Sequence, residues 1–445
     1  MLVLFLPIGL LAQEKHDYHW LLGYDPNEPQ NLYGGSRIDF NESPPEVSFF
    51  EIPFDFSANA AISDNSGQLL FYTNGCQISN RNHEIMPNGD GISPGKIHDG
   101  YCKNGYPAWQ GNLILPWPGH ENNYIFFHTR TEENAIKTEL LYSVVDMALD
   151  AGLGDVGPVK NQSAIDDTLA NMLTAVRHGN GRDWWVIIPR DFGNAYYTLL
   201  LSPSGVSWSS IQWVGESWSY EDWSGQSAFS PDGSWYARAN PYNELHLFRF
   251  DRCSGLLSQP LKLILPDPDL FACGVAFSPN SQRLYVSTGL QLYQYDLTKS
   301  DVAATQMLIG EYDGHVAPNL PTTFFQMVLG PNGKIYMGCA STVNVLHVIH
   351  SPDSLGLACD FRQHDLVLPA RNTWKMPNFP HFRLYDLPGS PCDTLGINGP
   401  VAAGEPVGAE RARLAVWPNP AQASCTVQVI GEDIAAGRWV LYSSA

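Results

Sequence analysis

The sequence is poor in basic residues and has few long apolar runs. Its 445 residues contain 25 Lys and Arg against 45 Asp and Glu, a formal net charge of -20. A chain this acidic repels phosphate backbones and anionic lipid surfaces, and no stretch gathers enough Lys or Arg to reverse the sign locally. We therefore expect no nucleic acid partner, and the acidity favours solubility outside a cell.

One apolar run stands at the very start of the chain, over residues 1–13. It is too short to span a bilayer but has the length of the hydrophobic part of a signal peptide. Polar residues follow at once, and Ala12 offers a small residue for cleavage, although the usual basic start is missing. We predict a signal peptide over residues 1–13, with a short core strand as the alternative. No later run is long enough for a transmembrane helix.

Motifs of nucleophilic, metal and phosphate chemistry are also missing. The chain has no Gly-x-Ser-x-Gly, no His-Glu-x-x-His and no phosphate-binding glycine loop. His347 and His350 are three residues apart on or beside a predicted strand, which places them on opposite faces. The acidic pairs at 166–167 and 267–269 do not follow the spaced calcium-loop pattern. We expect no catalytic residue, no metal and no cofactor, with calcium allowed by the residue types but unsupported by the spacing.

The cysteine pattern permits disulfides but not a zinc site. Cysteines are even in number in a chain that carries an export signal, and none forms a Cys-x-x-Cys. Successive pairs about 20 to 26 residues apart suggest local staples, while the connectivity stays open. The eight cysteines are Cys76, Cys102, Cys253, Cys273, Cys339, Cys359, Cys392 and Cys425.

What the chain does contain is a repeated unit of strand, tight turn and strand. Residues 228–237 carry Phe-Ser-Pro-Asp-Gly, and related units return at 276–286 and 328–337. Pro sets the first turn angle, and Asp or Asn before Gly tolerates the left-handed step of a hairpin. Three further hairpins precede them, so that turns recur about every 50 residues, a period typical of four-stranded propeller blades. The six turns are marked by Gly67, Asn122, Gly181, Gly233, Ser281 and Gly333.

These units predict an all-β chain whose main domain is a seven-bladed β-propeller over residues 18–387. Strands at 18–24, 36–40 and 47–53 precede the first unit, and one at 378–385 follows the last. Joining them into a seventh blade would hide both sheet edges. Six or eight blades remain open as alternatives because the second and third units are irregular.

The Phe-Ser-Pro-Asp-Gly pattern followed by Trp235-Tyr236 or by residues 284–286 resembles the WD-repeat-like propellers of exported bacterial proteins. Residues 178–185 and 377–380 look like segments of large Bacteroidota propeller proteins. The resemblance covers roughly residues 18 to 385 and implies the fold, whereas propellers serve as enzymes, binders and scaffolds alike.

A linker and a second unit follow the propeller. Residues 388–411 are rich in Pro, Gly, Ala and small polar residues. The sorting motif Pro418, Asn419 and Pro420, between alternating strand patterns, resembles the start of the C-terminal sorting domain that type IX secretion recognises, a small β-sandwich. The resemblance implies type IX secretion machinery as a partner and a secreted or outer-membrane surface location. Residues 412–445 would then be an incomplete, truncated sorting domain, with an accessory β-domain as the alternative.

Aromatic residues in the long connections are the candidate ligand-binding groups. If these connections run from an outer strand to the next inner strand, their rings gather near the central channel, where propellers commonly bind ligands. Indole and phenol rings can stack on sugars or grip peptide side chains, and packing between blades is the alternative. The candidates are Tyr106, Trp109, Trp218, Tyr220, Trp223 and Trp374.

Together these features favour a secreted propeller that binds a glycan, peptide or protein. The alternative is an extracellular hydrolase or lyase with its site at the channel mouth. Two carboxylates, or a carboxylate with a histidine, converging there would favour the enzyme.

Overall fold

The computed structural model describes residues 14–24, 32–57, 59–132, 137–218, 225–266, 272–397, 413–417 and 426–430. The predicted signal peptide lies outside these ranges. Secondary structure is almost entirely β, with one short helix, α1 (Lys96–Tyr101), and a few 3-10 turns. Within the same ranges, none of the helices combines the length and apolar composition needed to cross a membrane.

Seven antiparallel sheets form the blades of a β-propeller in the described part of the chain, which confirms the predicted fold class. Blade 1 consists of β1 (His19–Tyr24), β2 (Gly34–Asp39) and β3 (Glu46–Phe50). Blade 2 consists of β4 (Ala60–Ser63), β5 (Leu69–Thr73) and β6 (Ile78–Asn80). Blade 3 consists of β7 (Asn112–Pro116), β8 (Asn123–Thr131), β9 (Lys137–Asp146), β10 (Asp155–Val156) and β11 (Gln162–Leu169).

The other four blades each have four strands in chain order. Blade 4 consists of β12 (Thr174–Arg177), β13 (Trp184–Pro189), β14 (Gly193–Ser202) and β15 (Gly205–Trp218). Blade 5 consists of β16 (Gln226–Phe229), β17 (Trp235–Asn240), β18 (Glu244–Asp251) and β19 (Leu256–Leu263). Blade 6 consists of β20 (Gly274–Phe277), β21 (Arg283–Ser287), β22 (Gln291–Asp296) and β23 (Met307–Glu311). Blade 7 consists of β24 (Phe324–Leu329), β25 (Ile335–Cys339), β26 (Thr342–Ile349) and β27 (Phe361–Thr373).

The hairpin turn of the repeat is held by its own side chains. In blade 5 the Ser230 hydroxyl accepts a hydrogen bond from the backbone N–H of Trp235 at 2.9 Å, and Asp232 accepts one from the N–H of Ser234. Gly233 has a φ of +71°, where an added Cβ would lie 2.6 Å from the Arg252 side chain. Glycine is therefore required there for both backbone and space, although Ser281 adopts a φ of +60° at the related turn of blade 6.

Blade 1 closes the ring by packing face to face on blade 7. Trp20 and Ile38 from blade 1 share one buried apolar cluster with Tyr336, Leu346 and Leu368 from blade 7. Hydrogen bonds also join the two blades, because the Ser36 hydroxyl donates to the carbonyl of Ala370 and accepts from its N–H. Burial of these apolar side chains is the main contribution to the free energy that holds blade 1 against blade 7.

The predicted closing strand at 378–385 is wrong, because this stretch forms no β-ladder. Residues 374–386, here called the channel segment, instead run down the propeller axis beside β1. Asn378 lies at the beginnings of the innermost strands, whereas His381 contacts the carbonyl of Phe229 at the end of β16. Pro377 and Pro380 lack the N–H groups that a strand would need, so side chains hold the segment instead.

Two disulfides join residues in the described part of the chain. Cys76–Cys102 has a sequence separation of 26, as the local-staple prediction expected. Cys253 pairs instead with Cys392, 139 residues later. The other expected local pairs do not form among the described residues, where Cys273, Cys339 and Cys359 are buried and outside any disulfide. Cys425 lies outside the described residues.

A second compact unit covers residues 400–445. Its described part is an antiparallel pair, β28 (Arg413–Trp417) and β29 (Thr426–Ile430), in which Trp417 lies opposite Thr426. The predicted sorting motif Pro418, Asn419 and Pro420 falls between these strands and outside the described residues.

Candidate functional site

Side-chain amides fill the channel at the level where the innermost strands begin. Asn378 donates from Nδ2 to the carbonyls of Asn112 at 2.9 Å and Leu173 at 2.8 Å, which belong to blade 3 and to the residue before blade 4. Gln110 donates to Oδ1 of Asn378 at 3.2 Å and exchanges hydrogen bonds with the backbone of Ser227 in blade 5. These amides replace the ladder that a closing strand would have supplied.

A second amide spans the opposite side of the channel. Gln226 is buried, donates to the carbonyl of Met327 at 2.7 Å, and accepts from the N–H groups of Met327 and Val275. Blades 5, 6 and 7 are thereby joined at one side chain. The remaining cavity on the axis is only about 50 Å³, too small for a ligand. A candidate site must therefore lie at one end of the channel.

The end where the innermost strands begin is here called the start face, and Trp374 is its most prominent side chain. Trp374 is 41% exposed and has a φ of +39°. A bulky residue in the left-handed region is a strained exception that surrounding contacts must hold in place. Asn372 donates to the carbonyl of Lys375, and Thr373 donates to the carbonyl of Phe56, so both flanks of Trp374 are fixed.

Trp109 forms an aromatic pair with Trp374 across the channel end. The two ring centroids are 5.5 Å apart at 65°, and Trp109 also packs edge-on against Phe325 at 5.5 Å. Lys375 is buried beneath them, with Nζ 3.2 Å from the Trp109 ring centroid. An ammonium group over an indole face is an attractive cation–π contact. The pair is thus a rigid aromatic platform with positive charge beneath it.

The other predicted site residues are placed differently. Tyr106 is fully buried, and its hydroxyl bonds the backbone of Thr131. Trp218 is 3% exposed and lies under the Arg238 guanidinium, whose Cζ is 3.2 Å from the ring centroid. Both rings therefore pack inside the fold rather than face a ligand. Tyr220 and Trp223 lie outside the described residues.

A carboxylate and a histidine do meet in the channel, at the end opposite the start face. Asp17 and His381 both line the small axial cavity. Burial, together with the positive charge of Arg383, lowers the pKa of His381 to about 4. Asp17 is occupied by Arg383 through two hydrogen bonds of 2.5 and 2.7 Å. A cavity this small with its carboxylate already paired does not support the hydrolase alternative.

Metal-ligand geometry is equally scarce among the side chains that the structure describes. No group of three or more His, Cys, Asp or Glu is arranged there to hold an ion. Of the acids considered for calcium, Asp167 is paired with Arg190 at 2.9 Å and with the Tyr197 hydroxyl. Residues 267–269 lie outside the described ranges.

Lys375, Phe325 and the channel amides were missed by sequence reasoning. Their roles depend on strands that are far apart in the chain, and a single Lys or Gln carries no pattern. One signal was present, because Pro377 lies just before the predicted strand at 378–385 and Pro380 lies within it, and proline is unsuited to a ladder that pairs on both sides.

Comparisons with known proteins add only fold-level similarity. No family profile matches the chain, and no curated protein does. A candidate 6-phosphogluconolactonase from Bacteroides uniformis is 14% identical, with a TM-score of 0.46 over 79% of this chain and 97% of that one. A functionally unknown protein from Desulfotomaculum acetoxidans is 12% identical, with a TM-score of 0.43 over 81% and 99%. Similarity of this kind concerns the fold and not the activity.

Proposed function

We propose that the protein is an extracellular binding module whose start face holds a glycan or peptide chain on the Trp109–Trp374 platform. The observation that carries the proposal is Trp374, a strained, exposed indole over a plugged channel. Strain in a bulky residue is retained where the surroundings enforce it, and such residues cluster at functional sites.

The platform has the properties that a stacking site needs. Its two indoles are held by Phe325, Lys375 and the hydrogen bonds on either side of Trp374, so little ordering is required when a ligand arrives. An indole also presents a large apolar face at a low cost in side-chain entropy. The buried ammonium beneath Trp109 favours electron-rich groups such as hydroxyl or carbonyl oxygens on the ligand.

The test compares Trp374→Ala with Trp213→Ala in glycan-array and peptide-array screens, followed by calorimetry with the best hits. Trp213 is the matched control, because it is 66% exposed on the outermost strand of blade 4. Loss of a central stacking ring costs about 2 kcal/mol or more, so affinity should fall about 30-fold for the Trp374 variant. Neither variant should change the melting temperature appreciably, because both rings are substantially exposed.

Equal affinity of the Trp374 variant and the parent protein for every array hit would contradict the proposed platform. Cleavage of an array ligand by the protein would instead support the alternative of an extracellular hydrolase or lyase. Binding lost together with folding, seen as a lower melting temperature, would show that Trp374 is a structural residue.

We also propose that the protein is exported and that type IX machinery is its partner through the C-terminal unit. The two disulfides support an oxidising compartment. N-terminal sequencing of the protein from a type IX host should show cleavage near Ala12, at the end of the predicted signal peptide. A version of the protein that ends in a complete sorting domain should reach the cell surface only in hosts with that machinery, and delivery without it would contradict the assignment.

A further inference from the structure

A second cavity opens on the face opposite Trp374, here called the turn face because the hairpin turns lie there. Its volume is about 790 Å³, which is within the range of small-molecule sites. The walls come from the first described residues and from turns of blades 2, 3 and 4. Its principal lining residues are Glu14, His16, Asp64, Trp117, Tyr124 and Arg177.

Tyr124 and His16 present polar groups at the wall of this cavity. Tyr124 is 8% exposed, and within the described chain its hydroxyl forms no hydrogen bond. Burial, reinforced by the charge of Asp64, raises the pKa of Tyr124, so the hydroxyl remains a donor. His16 is 5% exposed and uses Nδ1 to donate to the carbonyl of Ser63 at 2.6 Å.

The second ring nitrogen of His16 is therefore an acceptor. A carbonyl accepts only, so the proton is on Nδ1 and Nε2 carries a lone pair. Burial lowers the pKa of His16, which keeps the ring neutral. A ligand in the cavity can therefore donate a hydrogen bond to this nitrogen.

The charged part of the lining combines the carboxylates of Glu14, Asp64 and Glu121 with the guanidiniums of Arg177 and Arg182. Asp64 accepts three hydrogen bonds at Oδ1 from Ser66 and Gln68, and a carboxylate has four lone-pair sites with which to accept more. Although burial opposes ionisation, these hydrogen bonds lower the pKa of Asp64 and keep it charged. Glu14 is paired with Arg177, which neutralises the guanidinium that would otherwise attract an anion. Arg182 is likewise paired, with Asp183, so the acceptors of Asp64 and His16 favour a ligand that carries hydrogen-bond donors.

One wall is aromatic. The indole of Trp117 stacks on the imidazole of His120, with ring centroids 4.0 Å apart at 27°, and its N–H is fixed by the carbonyl of Ser202. A flat ring beside hydrogen-bond acceptors suits the C–H face and the hydroxyl edge of a pyranose. Acidic sugars are disfavoured because the whole chain carries a net charge of -20.

We propose that this turn-face cavity binds a neutral or amino saccharide of one or two rings. The sugar stacks on Trp117, donates hydroxyl or ammonium hydrogens to Asp64 and His16, and accepts a hydrogen bond from Tyr124. This site is independent of the Trp374 platform, because the two lie at opposite ends of the channel segment.

The experiment measures binding of cellobiose and of a glucosamine disaccharide by calorimetry and saturation-transfer NMR. All variants are made in a Trp374→Ala background, so that the start face cannot contribute. Tyr124→Phe removes only the unpartnered hydroxyl, so affinity should fall about three- to tenfold while stability is unchanged or higher. Tyr142→Phe, on the neighbouring strand β9 and outside the cavity, is the matched control and should bind as the parent does.

Asp64→Asn separates the two kinds of sugar. The amide oxygen still caps the turn, but the negative charge is lost, so the glucosamine disaccharide should lose more affinity than cellobiose. Equal binding by the Tyr124→Phe variant and the parent would overturn the proposal. So would the failure of both disaccharides to bind at concentrations up to about 10 mM, whatever the outcome at Trp374.

Discussion

At the scale of single residues, the far end of the channel depends on one buried ion pair. Asp17 is 3% exposed and accepts two hydrogen bonds from the guanidinium of Arg383. A buried carboxylate that loses its partner keeps its desolvation cost without compensation. This pair ties the turn-face end of the channel segment to Asp17, which lies two residues before β1.

Arg383→Ala should therefore lower the free energy of unfolding by about 3 to 5 kcal/mol, measured by urea denaturation. The matched control is Arg362→Ala, which removes an exposed guanidinium that pairs with Asp360 at 2.7 Å. That variant should unfold at the same urea concentration as the parent. Equal midpoints for the two variants would show that the channel end is not held by this pair.

Residue type alone predicted part of the candidate site. Trp109 and Trp374 were expected at a channel mouth, and they meet there. Tyr106 and Trp218 have the same chemistry and similar loop positions, yet they are buried. Exposure depends on which neighbours arrive from other blades, such as Arg238 over Trp218, and no local pattern encodes that contact.

At the scale of elements, the hairpins could be predicted from the sequence because the residues that fix each turn are neighbours in the chain. Ser230, Asp232 and Gly233 fix one turn within five residues, and the related turns recur in the same way. The channel segment was misread because its partners are distant. Its alternating apolar residues resembled a strand, but Pro377, Pro380 and the amides of other blades determine its conformation.

Asn378→Ala tests the role of that segment. It removes donors to two buried carbonyls and the acceptor of Gln110, so unfolding free energy should fall by about 2 to 4 kcal/mol. Asn82→Ala, at an exposed turn of blade 2, is the control and should have almost no effect. A thermal melt in which both variants match the parent would mean that the segment is a passive filler.

At the scale of the whole molecule, the two disulfides close loops of very different size. The Cys253–Cys392 bridge spans 139 residues, against 26 for Cys76–Cys102. In the chain-entropy description, the longer loop restricts the unfolded chain more. Replacing both cysteines of the long bridge by Ser should destabilise the protein by about 1.5 kcal/mol more than the same change in the short one. Calorimetric unfolding of the two double variants provides the comparison, and a reversed order would contradict it.

Acid should weaken the whole propeller. Burial lowers the pKa of His128, His246 and His347 to about 3, so all three are neutral in the fold. The unfolded chain, with histidine pKa values near 6.5, binds these protons first, so stability declines as the pH falls from about 6.5 towards 3. Melting temperatures across this window should fall steadily. The decline should be shallower in His128→Gln, and a flat profile in the parent would contradict the assignment.

The Cys253–Cys392 bridge also determines how the molecule would carry mechanical load. Cys253 lies between β18 and β19, on the turn face, and Cys392 lies six residues after the end of the channel segment. A pull on the chain beyond Cys392 reaches blade 5 through a covalent bond before it loads any hydrogen bond of Asn378 or Arg383. If the protein is tethered through the chain after Cys392, the load acts on blade 5. The channel segment then keeps its hydrogen bonds, and Trp374 lies on the face away from the tether.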